Sequence, residues 1–423
     1  MNQKNSDLEL KRSKIDVAVV GGGAAGLATA IFAARRDPDL KIAVLDGARK
    51  LGAKILISGG GRCNVTNQVV NPDDFCGGSR HVMRRVLAAF GSRDTIAFFK
   101  GIGVPLHVEP SGKMFPDSHR ARTVLDALLQ ESERLGVYLL TRHRVTQVLR
   151  EPESFSLGTS HRNLKAARVV LATGGRSVPE TGSDGAGYEI AQSLGHTLVP
   201  QTPALVPLVL DGGFHTKLSG VSQDVEIAVR VNGSRTRHLK GSLLWTHFGV
   251  SGPVVLDASR HWHQARLANR DVSLAVNFLP GDDFAAAESR LMELSTSQPR
   301  TALCNTLANL LPTRLATAIL SQLGIAPELA TGQLSRTARR RLVHALLEWP
   351  LPVSDSRGYR YAEVTAGGVP LDEIDPRTME SRCCAGLFLV GEILDVDGRI
   401  GGFNLQWSWS SAWVAAQAVS TGV

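Results

Sequence analysis

"KIDVAVVGGGAAGLATAIFAARR", Lys14 to Arg36, decides the fold. Ile15 to Val20 is a short run rich in β-branched residues, as expected of a parallel strand buried on both faces. Gly21-Gly22-Gly23-Ala24-Ala25-Gly26 then fits G-x-G-x-x-G, and Leu27 to Arg36 reads as a helix with small residues on its inner face. Each glycine has its own task. Gly21 permits the tight turn, Gly23 lets the backbone approach a pyrophosphate, and Gly26 lets the helix pack closely on the strand. Free N–H groups and the positive end of the helix then face the phosphates. A second strand, Lys41 to Leu45, ends in Asp46, twenty residues after Gly26, where this fold places a carboxylate on ribose hydroxyls. Strand, turn, helix, strand and acid in that order predict one dinucleotide site, and Asp46 disfavours a 2′-phosphate there.

The fingerprint alone does not separate FAD from NAD. Three features favour FAD. The site lies close to Met1. "AARVVLATGG", Ala166 to Gly175, is an apolar strand ending in a small-residue turn. Late in the chain, "GLFLVGEILDVDGRIGGFNLQWSWSSAWVAAQAV" runs from a strand, Leu387 to Val390, through an acidic loop into a helix expected to start near Asn404. A helix end arriving there can stabilise negative charge on a reduced flavin. A second nucleotide site would suggest a separate NAD(P)H domain. Its best candidate, "GSDGAGYEIAQSLGH", Gly182 to His196, has no strand before it and Ile190 in the third glycine place, so it reads as a loop opening a helix.

A second glycine stretch, "ILISGGGRCNVTN", Ile55 to Asn67, needs its own explanation. Gly59-Gly60-Gly61 is expected to bring backbone against the cofactor where a Cβ would collide. Arg62 can supply positive charge to the phosphates or to reduced flavin, and Asn64 can hydrogen-bond nearby. Cys63 lacks a spaced partner and reads as a packed small residue before a redox thiol.

Composition bounds the rest. A chain of 423 residues, 43% hydrophobic and 20% charged, is expected to form two or three soluble domains. The net charge of +8 reads as a mildly basic enzyme with an anionic ligand. Nucleic acid is set aside because the basic residues are scattered. The densest cluster, Arg339-Arg340-Arg341, reads as a solvated helix face. The five cysteines, Cys63, Cys76, Cys304, Cys383 and Cys384, contain no C-x-x-C, which argues against a disulfide framework or a zinc site and fits a reducing cytoplasm. No metal-ligand spacing and no Ser/His/Asp set stands out. Lys11, Arg12 and Lys14 before an apolar run resemble a signal peptide, but three glycines interrupt that run, and a soluble cytoplasmic protein is expected.

"GAKILISGGGRCNVTN" (Gly52–Asn67), "GSDGAGYEIAQSLGHT" (Gly182–Thr197), "THFGVSGP" (Thr246–Pro253), "VTAGGV" (Val364–Val369) and "GEILDVDGRIGGFNLQWSWSSAW" (Gly391–Trp413) occur in that order. Together they resemble a bacterial FAD-dependent family of YhiN type, also labelled aminoacetone oxidase family or NAD(P)/FAD-dependent oxidoreductase, with BaiN-like bile-acid reductases as one branch. Two departures stand out: Asp46 where relatives often carry Glu, and "GSDGAGY" where many read GSTGDGY, so no role is transferred to Asp184.

The resemblance implies an α/β fold: a discontinuous glutathione-reductase-like FAD-binding (Rossmann-type) domain with an inserted β-rich domain and an inserted helical domain. The expected bounds are 1–197 and 364–423 for the FAD domain, 198–281 for the β-rich insert, 282–350 for the helical insert and 351–363 for a return strand. Strand-like "PLVLDG", "VEIAVRVNG" and "VSLAVNF" and helix-like "FAAAESRLMEL" and "RRRLVHALLEW" support that layout independently.

The implied cofactor residues are Gly21, Gly23, Ala24, Ala25 and Gly26 at the pyrophosphate, Asp46 at the ribose, and Val145 offering backbone to adenine. Lys54, Ser58, Gly60, Gly61, Arg62, Cys63, Asn64, Thr173, Gly174, Gly391, Glu392, Asp397, Gly402, Asn404 and Leu405 complete the set. His247, in "THFGVSGP", reads either as a substrate-facing acid/base or as a loop anchor, and the catalytic residues are otherwise unassigned. Trp407, Trp409 and Trp413 read as core packing. The expected function is hydride exchange between flavin N5 and a small amine or enoyl/keto substrate, with O₂ or NAD(P)H as the other partner. The rival readings are a non-catalytic or RNA-associated protein using flavin structurally, and an NAD-only protein.

Overall fold

The computed structural model describes residues 15–420. The basic cluster Lys11, Arg12 and Lys14 lies outside them. Two compact units emerge, one from the residues up to Pro203 together with those from Glu363 on, the other from Ala204–Ala362.

In the first unit β1 (Ile15–Val20), helix α1 (Ala24–Arg36) and β2 (Ile42–Leu45) form the first β-α-β turn. Helix α2 (Ala53–Gly61) follows, then short strands β3 (Thr66–Asn67) and β4 (Phe75–Gly77) and helices α3 (Arg80–Ala89) and α4 (Ser92–Gly101). Next come β5 (Leu106–Val108), β6 (Lys113–Pro116), α5 (Ala121–Arg134), β7 (Tyr138–Leu140), β8 (Val145–Arg150), β9 (Phe155–Thr159), β10 (Asn163–Leu171), α6 (Ala186–Ser193) and β11 (Val199–Ala204).

The main sheet runs β7-β2-β1-β10-β9-β8. β7, β2, β1 and β10 are mutually parallel, while β9 and β8 add an antiparallel flap. β10 serves both parts because it is long: its first four residues pair with β9, and Ala166 to Leu171 lie beside β1. β1 and β2 are buried along almost their whole length, which is why they read as unbroken apolar runs.

The second unit holds β12 (Leu208–Leu210), β13 (Ser222–Val231), β14 (Ser234–Thr246), β15 (Gly249–Ser251), α7 (Pro253–Leu267), β16 (Val272–Asn277), α8 (Phe284–Ser297), α9 (Leu303–Leu307), α10 (Thr313–Gln322), α11 (Arg336–Leu347), β17 (Trp349–Leu351) and β18 (Val353–Ser356). Its sheet runs β17-β16-β13-β14-β15-β12-β18, with every pairing antiparallel. β17 and β18 stand at opposite ends of that order, yet only Pro352 separates them in the chain. The sheet must therefore curl far enough to bring the ends of its two edge strands together.

Leu303, Leu315 and Leu342 from the helices share one core with Trp245, Ile227 and Val276 from the sheet. We propose that 198–281 and 282–350 differ in secondary structure rather than in core. The 198–281 range, expected to be β-rich, also holds the helix α7. Val254 and Val255 look strand-like, but Pro253 at the first helical position starts a helix instead. Within the return strand expected over 351–363, Tyr359–Tyr361 form a 3₁₀ turn.

The chain re-enters the first unit through β19 (Val364–Gly368), which pairs with β11. β20 (Leu387–Leu389) lies parallel to the end of β10, and β21 (Val396–Gly398) pairs with β4. The final helix, α12 (Phe403–Val419), packs on α1. It is buried on nearly every side, as its sequence of Trp, Ala, Val and Ser anticipates. Trp407 and Trp409 lie fully in the core, and Trp413 stacks on Phe90.

Candidate functional site: a glycine cradle closed by the last helix

The first glycine turn divides its tasks by space. Gly21 has φ +107°, and a Cβ there would lie 2.4 Å from the Ala172 carbonyl oxygen. A Cβ on Gly26 would lie 1.9 Å from the Gly21 carbonyl oxygen. Gly23 differs: a Cβ would meet nothing within 4 Å. Gly23 is also the N-cap of α1, with no side-chain cap and no acid in the first turn. The helix end at Ala24, Ala25 and Gly26 therefore presents its positive pole beside open space. Asp46 closes the turn, its two oxygens accepting from Gly22 N and Ala48 N, each at 2.7 Å. The backbone leading into β8 runs alongside, with His143 N donating to Asp46 O at 2.8 Å. Val145 opens β8 with its side chain buried.

The second glycine stretch ends α2. Ser58 leaves helical geometry at ψ 145°, and Gly59, Gly60 and Gly61 follow with φ +55°, +67° and +83°. Three successive left-handed residues require three glycines. A Cβ on Gly60 would meet no protein atom within 4 Å, so within the chain itself only its φ requires glycine. Arg62 is also committed elsewhere than expected. Its Nη1 donates to Glu109 Oε1 at 2.5 Å, and its guanidinium lies 4.0 Å from the Phe115 ring centroid. That pairing holds the Glu109 carboxyl below its ordinary range.

Cys63 is fully buried, and burial pushes its thiol up to about 12, so no thiolate is available for redox chemistry. Asn64 is buried with no hydrogen-bond partner for Oδ1 among the described residues. A Cβ on Gly402 would lie 2.9 Å from that oxygen and 2.5 Å from Thr66 O, so this stretch sits against the start of α12. Gly402, at φ +92°, is the N-cap of α12; Asn404 is not. The Asn404 amide is taken up by Gly398, accepting from its N–H at 2.7 Å and donating to its carbonyl at 3.0 Å. Leu405 follows, half-buried.

Thr173 and Gly174 follow β10. The Thr173 hydroxyl is buried without a partner among the described residues, and a Cβ on Gly187 would lie 1.9 Å from it. Glycine at 187 thus lets α6 pack against this turn. Asp184 pairs with Arg144 at 2.7 Å.

Gly391 (φ +75°) rests on α1: a Cβ there would lie 2.9 Å from Ala25 Cβ. Its N–H donates to Ser411 Oγ at 3.0 Å, and its carbonyl accepts from Trp407 Nε1 at 3.2 Å. Beside it, Glu392 joins four distant segments. It accepts from Lys54 Nζ at 2.6 Å, Ser177 Oγ at 2.8 Å and Thr365 N at 2.9 Å, and Lys54 Nζ also reaches Ser177 Oγ. Lys54 and Glu392 stand in the expected cofactor set, and here they pair with each other. Ser177 and Thr365 were missed, although Thr365 lies in the "VTAGGV" motif.

Asp397 is fully buried on β21. Burial and the neighbouring Asp397 charge raise the Asp395 carboxyl to about 6 from 3.8. Between those values the folded chain holds a proton that the unfolded chain has lost. Stability therefore falls as pH rises from about 4 to about 6, and the cost is complete at pH 7. Asp395→Asn is expected to stabilise the apoprotein at pH 7 by up to about 3 kcal/mol and to give no gain near pH 3.5, read from urea unfolding at both values.

His247 belongs to the second unit. It is exposed in the turn between β14 and β15, with its ring 5.1 Å from that of Phe248. Among the described residues, no helix is long and apolar enough to cross a membrane.

A parallel sheet, a glycine turn facing open space and an uncapped helix end define a Rossmann-type dinucleotide-binding fold. The HI0933-like protein Rossmann domain matches residues 15–418. The chain is 35% identical over 404 residues to the ribosomal RNA dihydrouridine synthase of Escherichia coli, spanning 96% of this chain and 98% of that one. It is 33% identical over 404 residues to the 3-dehydro-bile acid delta(4,6)-reductase of Clostridium scindens, with the same coverage. Among solved structures, 3-ketosteroid delta1-dehydrogenase from Sterolibacterium denitrificans has a TM-score of 0.51 at 13% identity, covering 96% of this chain and 99% of that one. Quinol fumarate reductase FrdA from E. coli has a TM-score of 0.50 at 19% identity, covering 96% and 70%. At such identities the structural likeness is one of fold. The chain belongs to the HI0933-like family, whose Rossmann domain it carries.

Proposed function

We propose that the chain holds FAD in the glycine cradle and reduces a carbon–carbon double bond conjugated to a carbonyl, its substrate being a uracil of ribosomal RNA. The residues fit the cofactor. Open space beside Gly23 and the uncapped end of α1 suit a pyrophosphate, and Asp46 retains lone pairs for ribose hydroxyls. The buried Asn64 and Thr173 oxygens are polar atoms in want of a partner. Gly60, Gly61, Gly391, Glu392, Asp397, Gly402 and Leu405 would line the remainder. A bound FAD would supply two-electron chemistry, with NAD(P)H as the source of the hydride. The α12 N-terminus, opened by Gly402 without a side-chain cap, would stabilise negative charge placed against it.

One observation carries the reaction type. Two relatives of nearly equal similarity carry unlike substrate names, yet both names describe saturation of a C=C bond conjugated to a carbonyl. In uridine that bond is C5=C6, conjugated to the C4 carbonyl. Its reduction adds a hydride at C6 and a proton at C5. The RNA reading departs from the expectation drawn from scattered basic residues, and the long β13–β14 ribbon supports it. Arg235, Arg237, His238 and Lys240 are exposed there. Arg230, directly opposite Arg235, is taken up by Glu348, so Arg235 and Arg237 are the guanidinium groups the ribbon offers to a phosphate backbone.

The test supplies FAD-loaded protein with NADPH or NADH under anaerobic conditions, and with a ribosomal RNA fragment, a 3-keto-Δ4,6 steroid or aminoacetone. The expected result is RNA gaining two hydrogens at a uridine, with a rate that falls steeply as salt rises and drops in Arg235→Glu/Arg237→Glu. Turnover of the steroid alone would move the substrate to a small enone. Amine oxidation by O₂ with no alkene reduction would overturn the reading.

A further inference from the structure

The sequence shows no metal-ligand spacing, yet the fold brings His107, Glu109 and His119 together. Their ligand atoms all lie within 4.8 Å of one another. We propose that these three side chains form a binding site for a divalent transition-metal ion of the Zn²⁺ class.

The site is built on the β5–β6 hairpin. His107 lies in β5, and Glu109 follows that strand. His119 lies just past β6, where its N–H donates to Pro116 O at 2.8 Å. The turn places the His119 ring 4.6 Å from the His107 ring, so the two imidazoles face one small volume.

A second feature points to a ligand independently. His107 Nδ1 lies 3.1 Å from Asp117 Oδ1. A carboxylate at Nδ1 fixes the proton there and leaves the Nε2 lone pair free to coordinate, the orientation seen in carboxylate–histidine–metal arrangements. Nε2 is the atom turned toward Glu109, 3.8 Å from Oε1. Ligands about 2.1 Å from a tetrahedral ion lie roughly 3.4 Å apart, so small side-chain rotations close the site. Two nitrogens and one carboxylate oxygen with an open fourth position match the donor set of an accessible zinc site.

Two polar contacts compete for Glu109 or lie against it. Arg62 Nη1 donates to Oε1 at 2.5 Å and Nη2 to Oε2 at 3.4 Å. A metal on Oε1 leaves Oε2 to Arg62, so the guanidinium shifts rather than losing its partner. The other histidine-containing cluster, His196, Glu373 and Cys383, differs in this respect. Both His196 nitrogens are already taken, Nδ1 by Glu373 at 2.7 Å and Nε2 by Ser381 Oγ at 2.8 Å.

The experiment uses tag-free, chelator-treated full-length protein titrated with ZnCl₂, followed by calorimetry and elemental analysis after desalting. One Zn²⁺ per chain is expected. His107→Ala and His119→Ala should each lower affinity at least 100-fold. Asp117→Asn, acting through His107, should weaken it about 10–100-fold while leaving the stoichiometry unchanged. Circular dichroism confirms that each variant is folded, and His119→Gln serves if His119→Ala is not. Absence of stoichiometric binding would overturn the proposal. So would binding that is unchanged in the His107→Ala/His119→Ala double variant, which would place the ion elsewhere.

Discussion

Gly23→Val is expected to give a folded, colourless protein. The backbone at Gly23 has an ordinary φ of −85°, and an added Cβ meets no protein atom within 4 Å. Valine is a poorer N-cap than glycine, which costs about 1 kcal/mol. The chain tolerates that, while the side chain fills the space where the cradle needs bare backbone. Flavin absorbance should vanish with unfolding midpoints almost unchanged. Gly26→Val is the control, because its Cβ would fall within 1.9 Å of Gly21 O and the protein should fail to fold. A yellow Gly23→Val protein with full FAD content would remove the basis for placing the pyrophosphate there.

Glu392→Ala should both destabilise the first unit and weaken FAD retention. Glu392 receives Lys54, Ser177 and Thr365 while largely shielded from water, with 17% of its side chain exposed. Removing it strands the Lys54 ammonium and the Thr365 N–H, at a cost of about 3 kcal/mol. Lys54→Met in the same background removes the stranded charge and should restore part of the loss. Urea midpoints of the single and double variants, measured without FAD, give the coupling directly. Additive losses would show that the two side chains do not act as a pair.

The β1–α1–β2 turn was legible because its logic is local: one spacing sets the turn, the close helix approach and the acid. The second stretch was legible in composition but not in cause. Three glycines announce an unusual backbone, but sequence alone does not say whether a neighbour or a positive φ demands them. Arg62 illustrates the same limit, since Glu109 and Phe115 claim its charge across a hairpin that no spacing rule predicts. Ser177, Thr365, Lys54 and Glu392 meet from four segments, and His107 meets His119 only because β6 turns back. α7 was hidden because Val254 and Val255 favour strands intrinsically, while packing on the sheet favours the helix. The RNA reading came from relatives. The ribbon's exposed Arg235 and Arg237 became visible as a row only once β14 had a partner.

The packing of α12 on α1 joins the two ends of the described chain, and the ribosome must deliver them in order. Residues 24–36 leave the exit tunnel early, but their apolar partner begins at Phe403. At bacterial synthesis rates the gap lasts roughly 20 s or more. During that interval the second unit can form its own core, while the nascent first unit exposes a sticky helix face. A transcript truncated before codon 403 should therefore yield a chaperone client rather than a weakened enzyme.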